Sequence, residues 1–334
     1  MKSLTVYGEG RVELVDTEVP AIESGEVLVA PILTGICGTD LEIIHSKIDP
    51  AYVIYPAVIG HEWCGRVVKV GSTVSDLKVG DRVVVEGIIP CGHCFECLSG
   101  NSNRCTTYDE IGFTLPGAAA ELIKVPEHLV HVLADAVSNE SGVLVEPTAV
   151  VTQGILKAAP KVGAKVLVIG DGTIAMIAGR LIRNWNPSVV HMLGLKEGQA
   201  ALSSKAGVEV FYTATPEEKY DFIIEASGSS ARISESIRML VRGGKLLLLG
   251  FTGSDVSTAI SIDDVVNGDL TLYASFGYSR SAWKETVTLL NSGELDLTFL
   301  VTHRFPLEDF ASAITALESA PAPRGKIALK IGDE

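Results

Sequence analysis

Short apolar runs broken by glycine and proline fill the first part of the chain. GEVLVAPILTG, GRVVKVGS and GDRVVVEG each set a strand's length of Val, Ile and Leu between turn residues. That pattern predicts an all-β, barrel-like region up to about residue 145. The N-terminal stretch MKSLTVYGEGRVELV reads as an amphipathic strand pair. Glu9, Arg11 and Glu13 interrupt the apolar run that a secretory leader would need. Near residue 147 the pattern changes. VTQGILKAA is helical, KVLVIG (165–170) is a buried strand, and TIAMIAGRLIRNW is a helix. SVVHML (188–193), helical QAALSSKAG, VEVFY, DFIIEA (221–226), helical SESIRMLVRG, GKLLLLG (244–250) and LTLYASFG (270–277) follow. Strands alternating with helices predict right-handed βαβ units, and six strands match a doubly wound parallel sheet. WKETVTLLNSGELD, strand-like FLVTHRF, EDFASAITALESA and GKIALKI form a mainly helical tail.

The first strand of the alternating region runs into Gly170-Asp171-Gly172-Thr173-Ile174-Ala175 and then a helix. This is the G-x-G-x-x-G/A turn, whose glycines let backbone amides approach a pyrophosphate at a helix N-terminus. Gly170, Gly172, Thr173 and Ile174 are therefore candidate cofactor contacts, with Ser227 and Gly250 at the ends of later strands. The acidic residue that holds an NAD ribose falls about twenty residues further on. Here that place is at or near Gly194, with Lys196 two residues later and no carboxylate at the strand end. Gly194 and Lys196 favour NADP(H) over NAD(H), although Glu197 beside them works the other way.

Composition narrows the function. With 47% hydrophobic and 20% charged residues over 334, two domains can bury cores without disulfides. The net charge of −14 and the lack of a Lys/Arg-rich block argue against a nucleic-acid partner. No apolar run reaches the roughly 18 residues a membrane span requires. A cytoplasmic, reducing setting is the expectation, and it weighs against disulfides.

Four of the six cysteines lie in CGHCFECLSGNSNRC. Cys91, Cys94, Cys97 and Cys105 offer tetrahedral zinc a complete thiolate shell, which leaves no vacancy and makes that metal structural. An iron–sulfur cluster is the alternative, though nothing else in the chain suggests electron transfer. His93, between them, reads as a loop residue. A catalytic metal needs other ligands. Cys37 in GICGTD, His61 and Glu62 in GHEWCG, and Glu146 in VEPT are candidates, each ambiguous by spacing alone. Cys64 reads as a packing residue.

Together these residues resemble the zinc-containing medium-chain dehydrogenase/reductases. Gly60-His61-Glu62-x2-Gly65-x5-Gly71-x2-Val74 matches that family's zinc-alcohol-dehydrogenase signature. GICGTD, the cysteine lobe, VEPT and GDGTIA follow in the family's order. The resemblance implies an α/β protein: a GroES-like β-barrel catalytic domain (1–147, with the 91–105 lobe), an inserted Rossmann domain (148–280) and a return to the catalytic domain (281–334). It places the active site in the cleft. It implies two zinc ions per chain, a nicotinamide cofactor, a small hydroxylated substrate and a homodimer or homotetramer.

Glu146-Pro147 resembles the polyol, sorbitol and threonine dehydrogenase branch, in which zinc is held at the positions of Cys37, His61 and Glu62, with Glu146 as a ligand or water-linked neighbour. Thr39 matches the hydroxyl-relay position, and Asp40 orients the local loop. Many relatives have a histidine where this chain has Glu42. Glu42 either ends the proton relay, or reads a polar group on the substrate, or is an idle surface residue, and His45 is a weaker substitute. Glu42, His45, Lys47, Asp49, Tyr52 and Tyr55 make the segment between the zinc ligands polar, which suggests polyols, sugars, cyclitols or aminocyclitols. L-Threonine 3-dehydrogenase is the enzyme alternative, and a non-catalytic zinc- and nucleotide-binding protein is the other.

Overall fold

In the computed structural model, residues 1–253 and 255–332 are described, and the chain divides into two compact units. The first comprises Met1–Glu146, Ser279–Ala320 and the chain from Lys326 onward. The second comprises Pro147–Tyr278 and Pro321–Gly325.

The first unit is built on antiparallel strands. Lys2–Gly8 and Arg11–Asp16 pair as a hairpin, joined by Ala57–Val58. A second sheet runs in the order Val130–Val132, Arg82–Val85, Glu62–Val70, Glu26–Ile36, Lys326–Lys330, Val301–Pro306, and Ile123–Pro126 also pairs with Glu26–Ile36. Pro31 lies inside the longest strand, where a proline would cost a ladder bond. The register shifts between Pro31 and Leu33 accordingly, so the residue sits at an irregularity. Val27, Val29, Trp63, Val67, Val83 and Val85 are buried together on these strands. The two strands of the C-terminal tail lie parallel to each other, and Lys326–Lys330 pairs with Glu26–Ile36, carrying residues from the chain's end next to the sequence GIC.

The second unit holds six strands in the order Val210–Tyr212, Val189–Leu193, Lys165–Ile169, Tyr220–Glu225, Leu240–Leu248, Thr271–Ala274. Every pairing is parallel. Numbered in chain order this is 3-2-1-4-5-6, the doubly wound dinucleotide arrangement. One boundary differs from the sequence pattern. The helix expected through SESIRMLVRG ends at Met239, and Leu240 already pairs with Tyr220 in the sheet. Leu240 is buried in the sheet's core cluster, so tertiary burial outweighs the local helical pattern.

Candidate functional site

In the first unit the strand Glu26–Ile36 ends at Cys37, which caps the short helix Gly38–Ile44. The cap is reciprocal. Thr39 N–H donates to Cys37 Sγ at 3.2 Å, and Cys37 N–H donates to Asp40 Oδ2 at 2.8 Å. The thiol is thus aimed by its own turn. Glu62 opens the neighbouring strand Glu62–Val70, His61 stands just before it, and Gly60 precedes both at φ +102. A Cβ on Gly60 would stand 2.7 Å from Ala119 N and 2.6 Å from Thr34 Cγ2, so only glycine permits this entry.

The result is a cluster in which one donor atom each from Cys37, His61 and Glu62 lies within 4.8 Å of the others. Cys37 Sγ and His61 Nε2 are 3.4 Å apart. Zinc–sulfur and zinc–nitrogen bonds at a tetrahedral angle would separate such atoms by about 3.6 Å. The other nitrogen, His61 Nδ1, faces Asp40 Oδ1 at 3.5 Å, and Phe113 packs its ring 5.1 Å from the imidazole. A carboxylate behind a histidine fixes which nitrogen is free for a metal.

The surroundings are strongly electronegative. Burial alone would depress His61, yet the Cys37 and Asp40 charges outweigh it and hold the imidazole well above its usual range. Burial, reinforced by Glu62 and Glu110, pushes the Glu146 carboxyl up to about 8, against the pull of His61. Lys326 is buried with its ammonium in ion-pair contact with Glu62 Oε2, although the two are not aligned as a hydrogen bond. Burial opposes its charge, but Glu62 and Cys37 raise its affinity for the proton. A set of one thiol, one imidazole and buried carboxylates that draws in a lysine fits a divalent soft-to-borderline cation such as zinc.

Not every expected residue joins this cluster. Glu146 interacts electrostatically with His61 and Glu62 but lies outside the three-residue group. Thr39 is half-buried beside Cys37. Glu42 and His45 are exposed, and His45 Nε2 faces Glu318 at 3.6 Å. Tyr55 spends its hydroxyl on Ile43 O at 2.6 Å. Lys326 and Glu110 belong to the site's electrostatics without having carried any sequence signal.

The other cysteines form a second centre. Cys91, Cys94, Cys97 and Cys105 bring their sulfurs within 4.8 Å of one another, with Cys91–Cys97 at 3.9 Å and Cys94–Cys97 at 3.4 Å. A disulfide would need about 2.05 Å, whereas the edge of a zinc–thiolate tetrahedron is about 3.8 Å. Backbone N–H groups of His93 and Cys94 lower the Cys91 thiol to about 6, and Cys91 N–H donates to Cys105 Sγ. His93 is an exposed loop residue bonded to Cys91 O. Cys64 is buried, its thiol pushed up to about 12 by burial.

In the second unit, all eight residues expected at the nucleotide lie just beyond the carboxyl ends of parallel strands, the edge at which such sheets bind ligands. Gly170 (φ +122) follows Lys165–Ile169, and Gly172 caps the helix Thr173–Leu181, whose first turn carries Thr173 and Ile174. A Cβ on Gly170 would meet Ala226 at 3.1 Å. Gly194 and Lys196 follow Val189–Leu193, while Ser227 and Gly250 follow Tyr220–Glu225 and Leu240–Leu248. Two acids here were not anticipated. Fully buried Glu225 accepts from the Ser227 hydroxyl and from the N–H groups of Ser227 (2.8 Å) and Gly228 (3.3 Å), fastening that loop. Asp171 Oδ2 accepts from Leu195 N–H at 2.8 Å and Lys196 N–H at 2.9 Å.

Comparison with known proteins identifies the family of both parts of the chain. Residues 23–135 match the model of the alcohol dehydrogenase GroES-like domain, and residues 173–292 match that of the zinc-binding dehydrogenases. L-Threonine 3-dehydrogenase of Yersinia pestis (strain Pestoides F) is 29% identical over 98% of this chain and 99% of its own. Among solved structures, an alcohol dehydrogenase from Escherichia coli CFT073 complexed with NADH superimposes with TM-score 0.91 at 26% identity, covering 99% of each chain. Galactitol-1-phosphate dehydrogenase from Escherichia coli gives TM-score 0.89 at 27% identity, over 99% of this chain and 100% of its own.

Proposed function

Because the chain belongs to the zinc-containing medium-chain dehydrogenase/reductase family, an oxidoreductase family, we propose that it interconverts a secondary alcohol and a ketone on a polyol, sugar, cyclitol or aminocyclitol. The observation that carries this reading is the convergence of Cys37, His61 and Glu62 within 4.8 Å around a turn that also bears Thr39. These three residues would hold the catalytic zinc, with Glu146 poised as an alternative carboxylate. Bound zinc supplies Lewis acidity toward an alcohol oxygen, and bound nicotinamide supplies a hydride acceptor.

The chain's own groups do the rest. Asp40 faces His61 Nδ1 at 3.5 Å with one oxygen and accepts from the Cys37 backbone N–H with the other, so one carboxylate serves both ligands. Lys326 offsets the buried charge of Glu62. Thr39, half-buried beside Cys37, would pass the substrate's hydroxyl proton outward through Oγ1, and Glu42 or His45, both exposed, would receive it at the surface. Cys91, Cys94, Cys97 and Cys105 would bind a second, structural zinc. The reading is of a cytoplasmic homodimer or homotetramer.

A second reading, L-threonine 3-dehydrogenase, is favoured by the 29% identical Yersinia relative. Reduced-nicotinamide absorbance with zinc-replete protein against polyols, cyclitols, aminocyclitols and threonine separates the two. Turnover confined to the polyols, cyclitols or aminocyclitols supports the proposal, and turnover of threonine alone overturns it. An unchanged pH profile with only slight activity loss in Glu42→Gln removes Glu42 from the relay.

A further inference from the structure

The end of the second strand in the nucleotide unit is occupied in an unusual way. The place where a ribose-binding acid would stand is Gly194, and it is sterically closed. A Cβ there would lie 2.4 Å from the Phe211 ring and 2.7 Å from Asp171 Cβ. The backbone N–H groups just beyond it, on Leu195 and Lys196, point the same way, forming a small anion-binding nest. That nest is already filled by Asp171 Oδ2, at 2.8 and 2.9 Å. Asp171 is itself held in place, because Gln199 Nε2 donates to its carbonyl at 2.7 Å and also to Arg324 O at 2.8 Å. The glycine-rich turn thus delivers, from its own second position, the carboxylate that the strand end lacks.

We propose that Asp171 reads the adenosine ribose: its carboxylate stands where a 2′-phosphate would bind, accepts the ribose 2′-hydroxyl, and makes the chain prefer NAD(H). Taken alone, Gly194 and Lys196 favour NADP(H). The geometry reverses that expectation, because the two N–H donors that would welcome a 2′-phosphate are committed to an internal anion. Lys196 is exposed, and solvent screens its charge more than that of a half-buried carboxylate held at the turn. This inference rests on the nicotinamide-dependent reading above.

The test is equilibrium binding to the full-length protein, read by quenching of intrinsic fluorescence, with NADH and NADPH titrated separately. Adenosine 5′-monophosphate and adenosine 2′,5′-bisphosphate serve as competitors that lack nicotinamide. Wild type is expected to bind NADH about tenfold or more tighter than NADPH, the scale of one like-charge contact in a partly desolvated site. Asp171→Asn keeps an acceptor oxygen for Leu195 and Lys196 but removes the charge. It is expected to shrink the ratio to about threefold or less. Equal or tighter binding of NADPH by wild type overturns the inference without any variant. So does an Asp171→Asn variant that weakens both nucleotides equally, which would mark a purely structural role. Failure of folded wild type to bind any of the four ligands overturns the dehydrogenase reading itself, and this inference with it.

Discussion

Replacing Lys326 with Met removes one half of a buried ion pair and leaves Glu62 without its counter-charge. Lys326 and Glu62 are each 3% exposed, so water cannot make up the loss. Deleting one partner of such a pair costs about 3–5 kcal/mol, well above the roughly 1 kcal/mol of an exposed pair. Methionine keeps most of the side chain's length and apolar contact, so the cost reports charge rather than a cavity. Urea unfolding of chelator-treated protein, followed by tryptophan fluorescence, is the assay. Trp63 and Trp283 are buried in this same unit and Trp185 lies in the other, so the series is made in a Trp185→Phe background to keep the signal local. Lys326→Met and Glu62→Gln should each destabilise by several kcal/mol. The double variant should cost about 2 kcal/mol or more less than their sum, because it removes both charges. Zinc at the site should shrink the Lys326→Met penalty by giving Glu62 a new cation. Single-variant costs below about 1 kcal/mol, or strict additivity, would refute the buried pair as the device that holds Glu62.

Two further outcomes follow from the same geometry. Gly60→Ala should destabilise the first unit by roughly 3 kcal/mol and lower zinc content, since its Cβ meets backbone at 2.7 Å in a positive-φ conformation; wild-type stability in urea would contradict this. Cys94→Ser should retain about one zinc per chain and become sensitive to protease within 91–105, whereas undiminished zinc content would contradict a site that needs all four thiolates.

Much of this was legible in the chain because its chemistry is local. The signature around His61, the cysteine spacing of 91–105 and the glycine turn after KVLVIG each lie within fifteen or so residues, and each turn's backbone needs are written in its own letters. The parallel six-stranded sheet of the nucleotide unit was likewise implied by alternating βα units. What sequence reading missed is non-local. Lys326 reaches Glu62 only because Lys326–Lys330 pairs with Glu26–Ile36, a contact across some 290 residues that no motif announces. Glu110 joins the site's electrostatics through a loop packed against Gly60 and His61, where a Cβ on Gly112 would stand 3.3 Å from His61 N. Asp171 was in view as a variable letter of the turn, but its reach to Leu195 and Lys196 depends on how adjacent parallel strands end together. The polar segment between the zinc ligands promised a row of substrate contacts, and at Tyr55 the hydroxyl instead closes the helix Gly38–Ile44 by bonding Ile43 O.

The most direct test of the central claim is zinc stoichiometry by elemental analysis, paired with turnover and NADH binding, in wild type and His61→Ala. The account predicts two zinc ions per wild-type chain and one in His61→Ala, with turnover down about a thousandfold and NADH affinity retained. Two zinc ions in the variant, or turnover within tenfold of wild type, would contradict a catalytic zinc on Cys37, His61 and Glu62.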